Sequence, residues 1–532
     1  MRHISGGHFR RSGIYSSTAA RIVLDPRDAA RGRSRSKRTA RYPVASLTKR
    51  TIILIVCRVF NFGVLALSPL FLVRIFDIRA YGQYREFIVY ALMISGVIEF
   101  SINANPLYFI PKYPGRERQT VTHTALLVLV ASMLGLTALY LLRGFILART
   151  SYDFVAPLIL FIFFYINFEF FENYWLGRKR ADYVLYYSSA RVTVRTAAII
   201  ISAAVSRDVM VVLRTMVVVE CAKCLFVFFM LRTVLTKRLD RTLLREQLRY
   251  IVPLGSSATI SLANNQLANL FVLIRMGVER LALYTTGAYQ IPIMNIVRQS
   301  VVDVLFPEMA QIGDAERLHL WKRATVVLCS IVVPVYVVFF YYAPTVIETL
   351  FTRQYVAAIP LFRIYLSLLL LQCFDMATPL RAMNRNKYFV SGTILDLAVD
   401  LGLLLLLFRS VGFLAPALTF IIGECVIVVY LAVMVIRCYR IGVGGLLLWR
   451  EIFAVVCCAL IGLPVLVVGR WIGMNAIVRA VSFSLLYLAA YYVAVRRSRI
   501  TEVELLVDKI AGRFKRAHAR MGDGTGGGPR LT

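Results

Sequence analysis

Acidic residues are few in this chain: 29 Asp and Glu oppose 62 Lys and Arg across 532 residues, for a formal net charge of +33. Charge of either sign is sparse, since Asp, Glu, Lys and Arg together make up only 17% while 59% of the residues are hydrophobic. Mean hydropathy is +0.68. No stretch is left over for a sizeable soluble domain. In a soluble protein so basic a balance points to nucleic acid. Here no RNA- or DNA-binding module is present, and the cytoplasmic loops of membrane proteins collect Lys and Arg for their own reason.

Metal-ligating and redox patterns are also lacking. The five histidines, His3, His8, His123, His319 and His518, fall in tails or near loops and never at a metal-ligand spacing. The nine cysteines are an odd number, all inside or at the ends of apolar segments, which excludes a secreted disulfide framework. Cys221 and Cys224 spell C-x-x-C, but on an apolar segment without a βαβ setting, where packing is the better reading. No nucleophile–base pair, paired-carboxylate loop or nucleotide-binding motif occurs, and the Gly-rich end GDGTGGGPRLT follows no strand. The chain is therefore not expected to be an enzyme or to hold a metal or cofactor.

What the chain does have is fourteen apolar segments of membrane-spanning length, at 51–75, 86–110, 120–142, 153–175, 183–205, 209–231, 251–275, 282–306, 324–343, 357–379, 388–408, 413–436, 452–469 and 474–495. A bilayer core takes about 20 apolar residues per helical crossing, and backbone in lipid must satisfy its own hydrogen bonds. The predicted fold class is all-α: a polytopic membrane protein of about fourteen helices. Loops after the even-numbered segments hold twenty-one Lys and Arg, and the intervening loops about half as many. The first 50 residues hold thirteen Lys and Arg against Asp25 and Asp28. Both termini are thus expected in the cytoplasm, with the basic tail disordered and attracted to anionic headgroups. No cleavage site follows a short apolar run, so the first segment is expected to act as an uncleaved signal.

The longest loop, 232–250, divides the chain. The expected organisation is a tail over 1–50, a six-helix lobe over 51–232, a linker over 233–250, a second six-helix lobe over 251–437, a helix pair over 438–495 and a basic tail over 496–532. Six crossings return a chain to its starting side, so repeated lobes would be parallel ones. VRIFDIRAYGQYREF and LIRMGVERLALYTTGAYQ are similar after the first segment of each half, and Pro111 and Pro307 follow at matching places.

Charges at bilayer depth cost ~2.5–3.5 kcal/mol on insertion scales. The first half carries Arg58, Arg191, Arg195, Arg214 and Lys223 with Glu169 and Glu220. Glu169 and Arg191 lie at similar distances on either side of one turn, so an ion pair is expected, as is one between Glu220 and Lys223 at i,i+3. Arg58 and Arg195 have no local carboxylate, which predicts a hydrated cavity that receives an anion. The second half carries Asp303, Asp375, Asp396, Asp400 and Glu424 against Arg298 and Arg363. Asp396 and Asp400 share a helix face, and Asp400 and Glu424 sit at similar depth. Such carboxylates either share a proton or cation, as in coupling to H+ or Na+, or Asp400 and Glu424 pair with Arg363 or with backbone. Asn264, Asn265, Gln266 and Asn269 crowd segment 7; Asn265 and Asn269 share a face, joining helices or lining a polar cavity. Pro69, Pro253, Pro292, Pro334 and Pro360 permit bends.

RIFDIRAYGQYREFIVYALMISGVIEFSINANPLYFIPKY, with its Tyr81-Gly82 pair, resembles the helix 1–2 region of bacterial polysaccharide flippases. These belong to the multidrug/oligosaccharidyl-lipid/polysaccharide exporter superfamily. YIVPLGSSATISLANNQLANLFVLIRMGVERLALYTTGAYQIPIMNIV resembles its helix 7–8 region. APTVIETLFTRQYVAAIPLFRIYL and the run from PLRAMNRNKYF to IIGECV resemble helices 9 to 12. The resemblance covers about residues 50–440 and rests on the order of several weak motifs. It implies a transporter of the bacterial inner membrane that flips undecaprenyl-pyrophosphate-linked oligosaccharide for O-antigen, capsule or exopolysaccharide synthesis. Two lobes would alternate around a cationic cavity. The implied partners are the lipid-linked oligosaccharide, membrane lipids and other polysaccharide export proteins. Arg58, Arg191, Arg195 and Arg298 are the candidates for the headgroup, and Asp396, Asp400 and Glu424 for ion coupling. Many relatives place Asp near the position of Asn269, which is a departure here. The alternatives are a drug or metabolite exporter of the same superfamily and a membrane polysaccharide polymerase.

Overall fold

A computed structural model describes residues 44–142, 144, 154–289, 301, 305, 309, 312–383 and 385–498. Every regular element among the described residues is helical. The described residues from Ile53 onward form one compact unit; of the other unit, Met1–Ile52, the described part is the start of the first helix. The helices of the first half are α1 (Val44–Ile75), α2 (Ile78–Glu99), α3 (Asn105–Lys112), α4 (Glu117–Leu141), α5 (Val155–Ile166), α6 (Phe171–Gly177), α7 (Ala181–Ser206) and α8 (Val209–Leu231). The second half holds α9 (Arg241–Met276), α10 (Val278–Gly287), α11 (Asp314–Tyr341), α12 (Ala343–Phe351), α13 (Ile359–Gln372), α14 (Ala377–Ala382), α15 (Asn386–Val411) and α16 (Ala415–Tyr439). Then come α17 (Trp449–Ile461), α18 (Leu463–Gly469) and α19 (Ala476–Arg497).

Among the described residues, nine helical stretches are long and apolar enough to cross a membrane, and ten if the bent pair Ile78–Glu99 and Ile102–Lys112 is one span. The expected fourteen is not reached on length and composition. Lys387–Tyr439 counts as one stretch but contains α15 and α16. α8 carries Arg214, Glu220 and Lys223 within its length. Most of 290–311 lies outside the described residues. Outward side chains such as Leu141 (76% exposed) and Val205 (82%) are apolar, as a lipid-facing surface requires.

Helix starts follow local chemistry. The carboxylates of Asp77, Asp208 and Asp240 accept hydrogen bonds from the first backbone N–H groups of α2, α8 and α9. Two expected straight spans are instead broken. Phe100 and Ser101 both take positive φ, and the chain bends by 61° between α2 and the stretch that contains α3. Phe168, also at positive φ, separates α5 from α6. Neither break carries Gly or Pro, which is why a hydropathy pattern runs straight through both.

Helix α2 joins the halves. Its Gly82 lies so close to the Val278 backbone at the start of α10 that an added Cβ would sit 2.3 Å from the Val278 carbonyl oxygen. At the other, basic end, Lys112 Nζ pairs with Glu246 at 2.7 Å and Arg116 with Asp240 at 3.1 Å. There the Tyr108 and Tyr250 rings stack 4.5 Å apart. Both carboxyls are held below the ordinary carboxylate range, Asp240 chiefly by the Thr242 hydroxyl and Glu246 chiefly by Lys112. A carboxyl with a depressed folded value stabilises fully above its unfolded value and loses that contribution as pH falls through the folded one. Asp240→Ala is therefore expected to lower the thermal midpoint near neutral pH, with the gap to wild type closing as the pH drops below about 4. Thermal-shift curves across that range check this; a gap independent of pH contradicts it.

Candidate functional site

Two clusters of charge lie within the helical bundle, one in each half. The first is built around the break between α5 and α6. Glu169 sits in that break, and its Oε1 accepts from Arg191 Nη1 of α7 at 2.5 Å, while its Oε2 lies 3.2 Å from Lys223 Nζ of α8. Lys223 also reaches Glu220 at 2.9 Å and donates to the carbonyl of Tyr165 at 2.8 Å. At the break, the Glu169 amide bonds Ile166 O rather than Tyr165 O. Lys223 thus satisfies a backbone oxygen that an unbroken helix would have bonded internally.

Both expected ion pairs, Glu169 with Arg191 and Glu220 with Lys223, are present. The expectation that Arg195 lacks a carboxylate is corrected: Arg195 Nη1 lies 3.4 Å from Glu220 Oε1, because α7 and α8 are antiparallel neighbours that bring the two to one depth. Arg195 also lies over the rings of Phe161 and Tyr165. Glu172, which the sequence reading passed over, stands 3.9 Å from Arg191 and within electrostatic reach of Arg58. Arg58 itself is exposed on α1. Three glutamates thus face Arg191, Arg195 and Lys223. Glu99 of α2 is within electrostatic reach of Glu169 and Lys223 as well, so the cluster is a network of paired charges rather than a bare cationic wall. Next to it, Asn61 Nδ2 donates to Ser188 Oγ at 2.9 Å and ties α1 to α7. Arg214 is exposed on α8, and Arg298 and Asp303 lie outside the described residues.

The second cluster joins α9, α15 and α16. Asp396 and Asp400 are each 4% exposed. Asn264 Nδ2 donates to Asp396 Oδ2 at 2.6 Å. Asp396 Oδ1, Asp400 Oδ1 and Asn264 Oδ1 are buried without hydrogen-bond partners among the described residues. Both free carboxylate oxygens converge on Gly423, where an added Cβ would lie 2.1 Å from that of Asp400 and 2.6 Å from that of Asp396. Only a residue without a side chain leaves room for the pair. Glu424 is partly buried and within electrostatic reach of Asp400. The hydroxyls of Tyr284 and Tyr365 bond each other nearby, and Asp400 is in electrostatic reach of both.

The alternative in which Asp400 pairs with Arg363 is corrected. Arg363 lies over the Phe340 ring at 5.2 Å and does not neutralise Asp400. The amide that serves the acidic pair is Asn264; Asn265 is exposed and Asn269 donates to Gln266 at 3.0 Å. Asp375 caps α14 through the amides of Ala377 and Thr378 and takes no part in the cluster. Among the described residues, no group of three or more His, Cys, Asp and Glu is arranged to hold a metal ion.

Comparison with known proteins agrees with this architecture. The family described as "Polysaccharide biosynthesis protein" matches residues 178–360, a stretch that includes Arg191, Arg195, Glu220 and Lys223. Among solved structures, the chain is similar to the lipid II flippase MurJ in an inward closed conformation. The TM-score is 0.68 at 11% identity, over 86% of this chain and 100% of that one. It is also similar to an inward-facing multidrug resistance MATE family transporter of the MOP superfamily, at TM-score 0.51 and 14% identity over 74% of this chain and 94% of that one. A MOP superfamily transporter from Pyrococcus furiosus gives TM-score 0.51 at 13% identity, over 74% and 96%. No curated protein matches by sequence. The chain is a multi-span membrane protein with the fold of the MOP superfamily transporters, and about a third of it matches a polysaccharide biosynthesis family.

Proposed function

We propose that the protein flips a lipid-linked oligosaccharide, carried on undecaprenyl pyrophosphate, from the inner to the outer leaflet of a bacterial cytoplasmic membrane for surface polysaccharide synthesis. Both termini then lie in the cytoplasm. The observation that carries the reading is the polysaccharide biosynthesis match over 178–360, which covers Arg191, Arg195, Glu220 and Lys223 of the first charged cluster, in a chain with a flippase-like fold. A sugar-diphosphate headgroup cannot cross hydrocarbon unaided, because its charges and hydroxyls would lose their water. Fixed guanidinium groups replace that water, and the fork of arginine takes two phosphate oxygens at once. Because Glu169, Glu172 and Glu220 already neutralise the cations, a diphosphate enters by displacing carboxylates. Its affinity is thereby kept moderate, which allows release. The MATE likeness favours a second reading, a drug or metabolite exporter. A cationic drug, however, would compete with three cations for the same glutamates.

In the second cluster, Asp396, Asp400 and Asn264 offer three free oxygens to a shared proton or a sodium ion. Binding there would shift the balance between inward- and outward-open states. Two experiments test the proposal. Deleting the gene should abolish surface polysaccharide and accumulate lipid-linked repeat units, and a plasmid copy should restore export; unchanged polysaccharide in the deletion strain refutes it. In proteoliposomes, Asp400→Asn should remove the dependence of transport on an imposed proton or sodium gradient. Wild-type transport indifferent to both gradients would leave the acidic pair a structural feature.

A further inference from the structure

The headgroup candidates Arg191 and Arg195 are neutralised by carboxylates, whereas one arginine missed by the sequence reading is not. A cavity of about 290 Å³ opens between α1, α2, α10 and α12, at the end of the bundle opposite the Lys112–Glu246 pair. Phe62, Leu65 and Pro69 of α1 form one wall, and Tyr289 and Phe351 of the second half form the other. Arg85 of α2 is the sole charged residue in the lining. Its Nε is buried and has no hydrogen-bond partner among the described residues.

A guanidinium without a counter-charge in an apolar recess is costly unless an anion meets it. The volume corresponds to roughly ten waters, more than a bare phosphate fills. The rest of the lining is mainly aliphatic and aromatic, with the hydroxyls of Tyr81, Thr285 and Tyr289 as its other polar groups, and Phe62 (41% exposed) and Leu65 (49%) carry the apolar surface outward along α1. Charge at one point and hydrocarbon beside it match a phosphate ester at the head of an isoprenoid chain.

We propose that this cavity is a second substrate station at the outer end of the bundle, with Arg85 taking the phosphate and the α1 wall taking the first isoprene units. The inference rests on the flippase reading and extends it. The headgroup passes from a neutralised cluster to an uncompensated cation. That order favours outward travel, and occupancy bridges the halves beside the Gly82–Val278 contact.

The test is binding to purified full-length protein in nanodiscs, with farnesyl diphosphate as the probe and farnesol and inorganic diphosphate as comparison arms. Farnesyl diphosphate should bind at least about tenfold more tightly than either. Arg85→Ala should weaken it about tenfold, and Arg85→Lys should recover part of the loss. Ala66→Trp, which fills the cavity and leaves Arg85 in place, should block the probe; it decides the matter should Arg85→Ala fail to fold. Wild-type probe affinity in Arg85→Ala or in Ala66→Trp overturns the inference. So does inorganic diphosphate binding as tightly as the farnesyl probe, because the cavity would then take a soluble anion. The reading of function is judged separately, by export in cells. Loss of export in the deletion strain together with an Arg85-independent probe overturns only the station, whereas unchanged export in the deletion strain and no probe binding overturn both.

Discussion

Glu169→Gln should destabilise the protein by about 3 kcal/mol, the lower end of the range for removing one partner of a buried ion pair. The lower end applies because Glu169 and Arg191 side chains retain 19% and 23% exposure. The substitution keeps the shape of the side chain but leaves Arg191 with only Glu172 at 3.9 Å, and Lys223 with Glu220 and a carbonyl. Glu172→Gln, one-third exposed and loosely paired, should cost under about 1 kcal/mol. The readout is the thermal midpoint of each purified variant, and equal shifts in the two would defeat the network described above. Replacing Glu169 and Arg191 together by methionine should restore much of the midpoint, since a well-packed apolar pair often matches a buried ionic one. Export should remain lost, because the headgroup contact is gone. That split between stability and transport separates a functional network from a structural one.

Gly82→Ala should abolish or sharply reduce export while the protein is still made. The new methyl would meet the Val278 carbonyl oxygen at 2.3 Å and its carbon at 2.7 Å. Both are backbone atoms, so no side-chain rotation relieves the clash, and α2 and α10 must part. Overpacking of this kind costs about 1–3 kcal/mol, and here the strain falls on the seam between the halves. Gly63→Ala on α1 is the control, since nothing lies within 4 Å of its added carbon. Export by Gly82→Ala at the level of Gly63→Ala would show that the seam tolerates displacement.

Apolar length and charge placement made the class of fold legible. A depth argument from one turn was enough to pair Glu169 with Arg191. The same argument missed Glu220 as a partner for Arg195, because cross-helix register also depends on rotation about each helix axis, and packing sets that rotation. Rotation likewise decides that Asn264, and not Asn265 or Asn269, turns to the acidic pair. The breaks at Phe100 and Phe168 were invisible because phenylalanine gives no signal for a positive φ. Arg85 read as part of a loop because the apolar run starts at residue 86, whereas α2 begins at Ile78. Nothing near Gly423 in the sequence reveals that two carboxylates rest against it.

The lysine that reaches Tyr165 O ties a backbone interruption to an ionic circuit. Should α5 and α6 straighten, that carbonyl would return to its own helix and Lys223 would lose an acceptor. Should an arriving diphosphate draw the ammonium away, a peptide oxygen at lipid depth would be left to find another donor. Ligand capture and reshaping of this half would then be a single event, with no separate messenger needed between them.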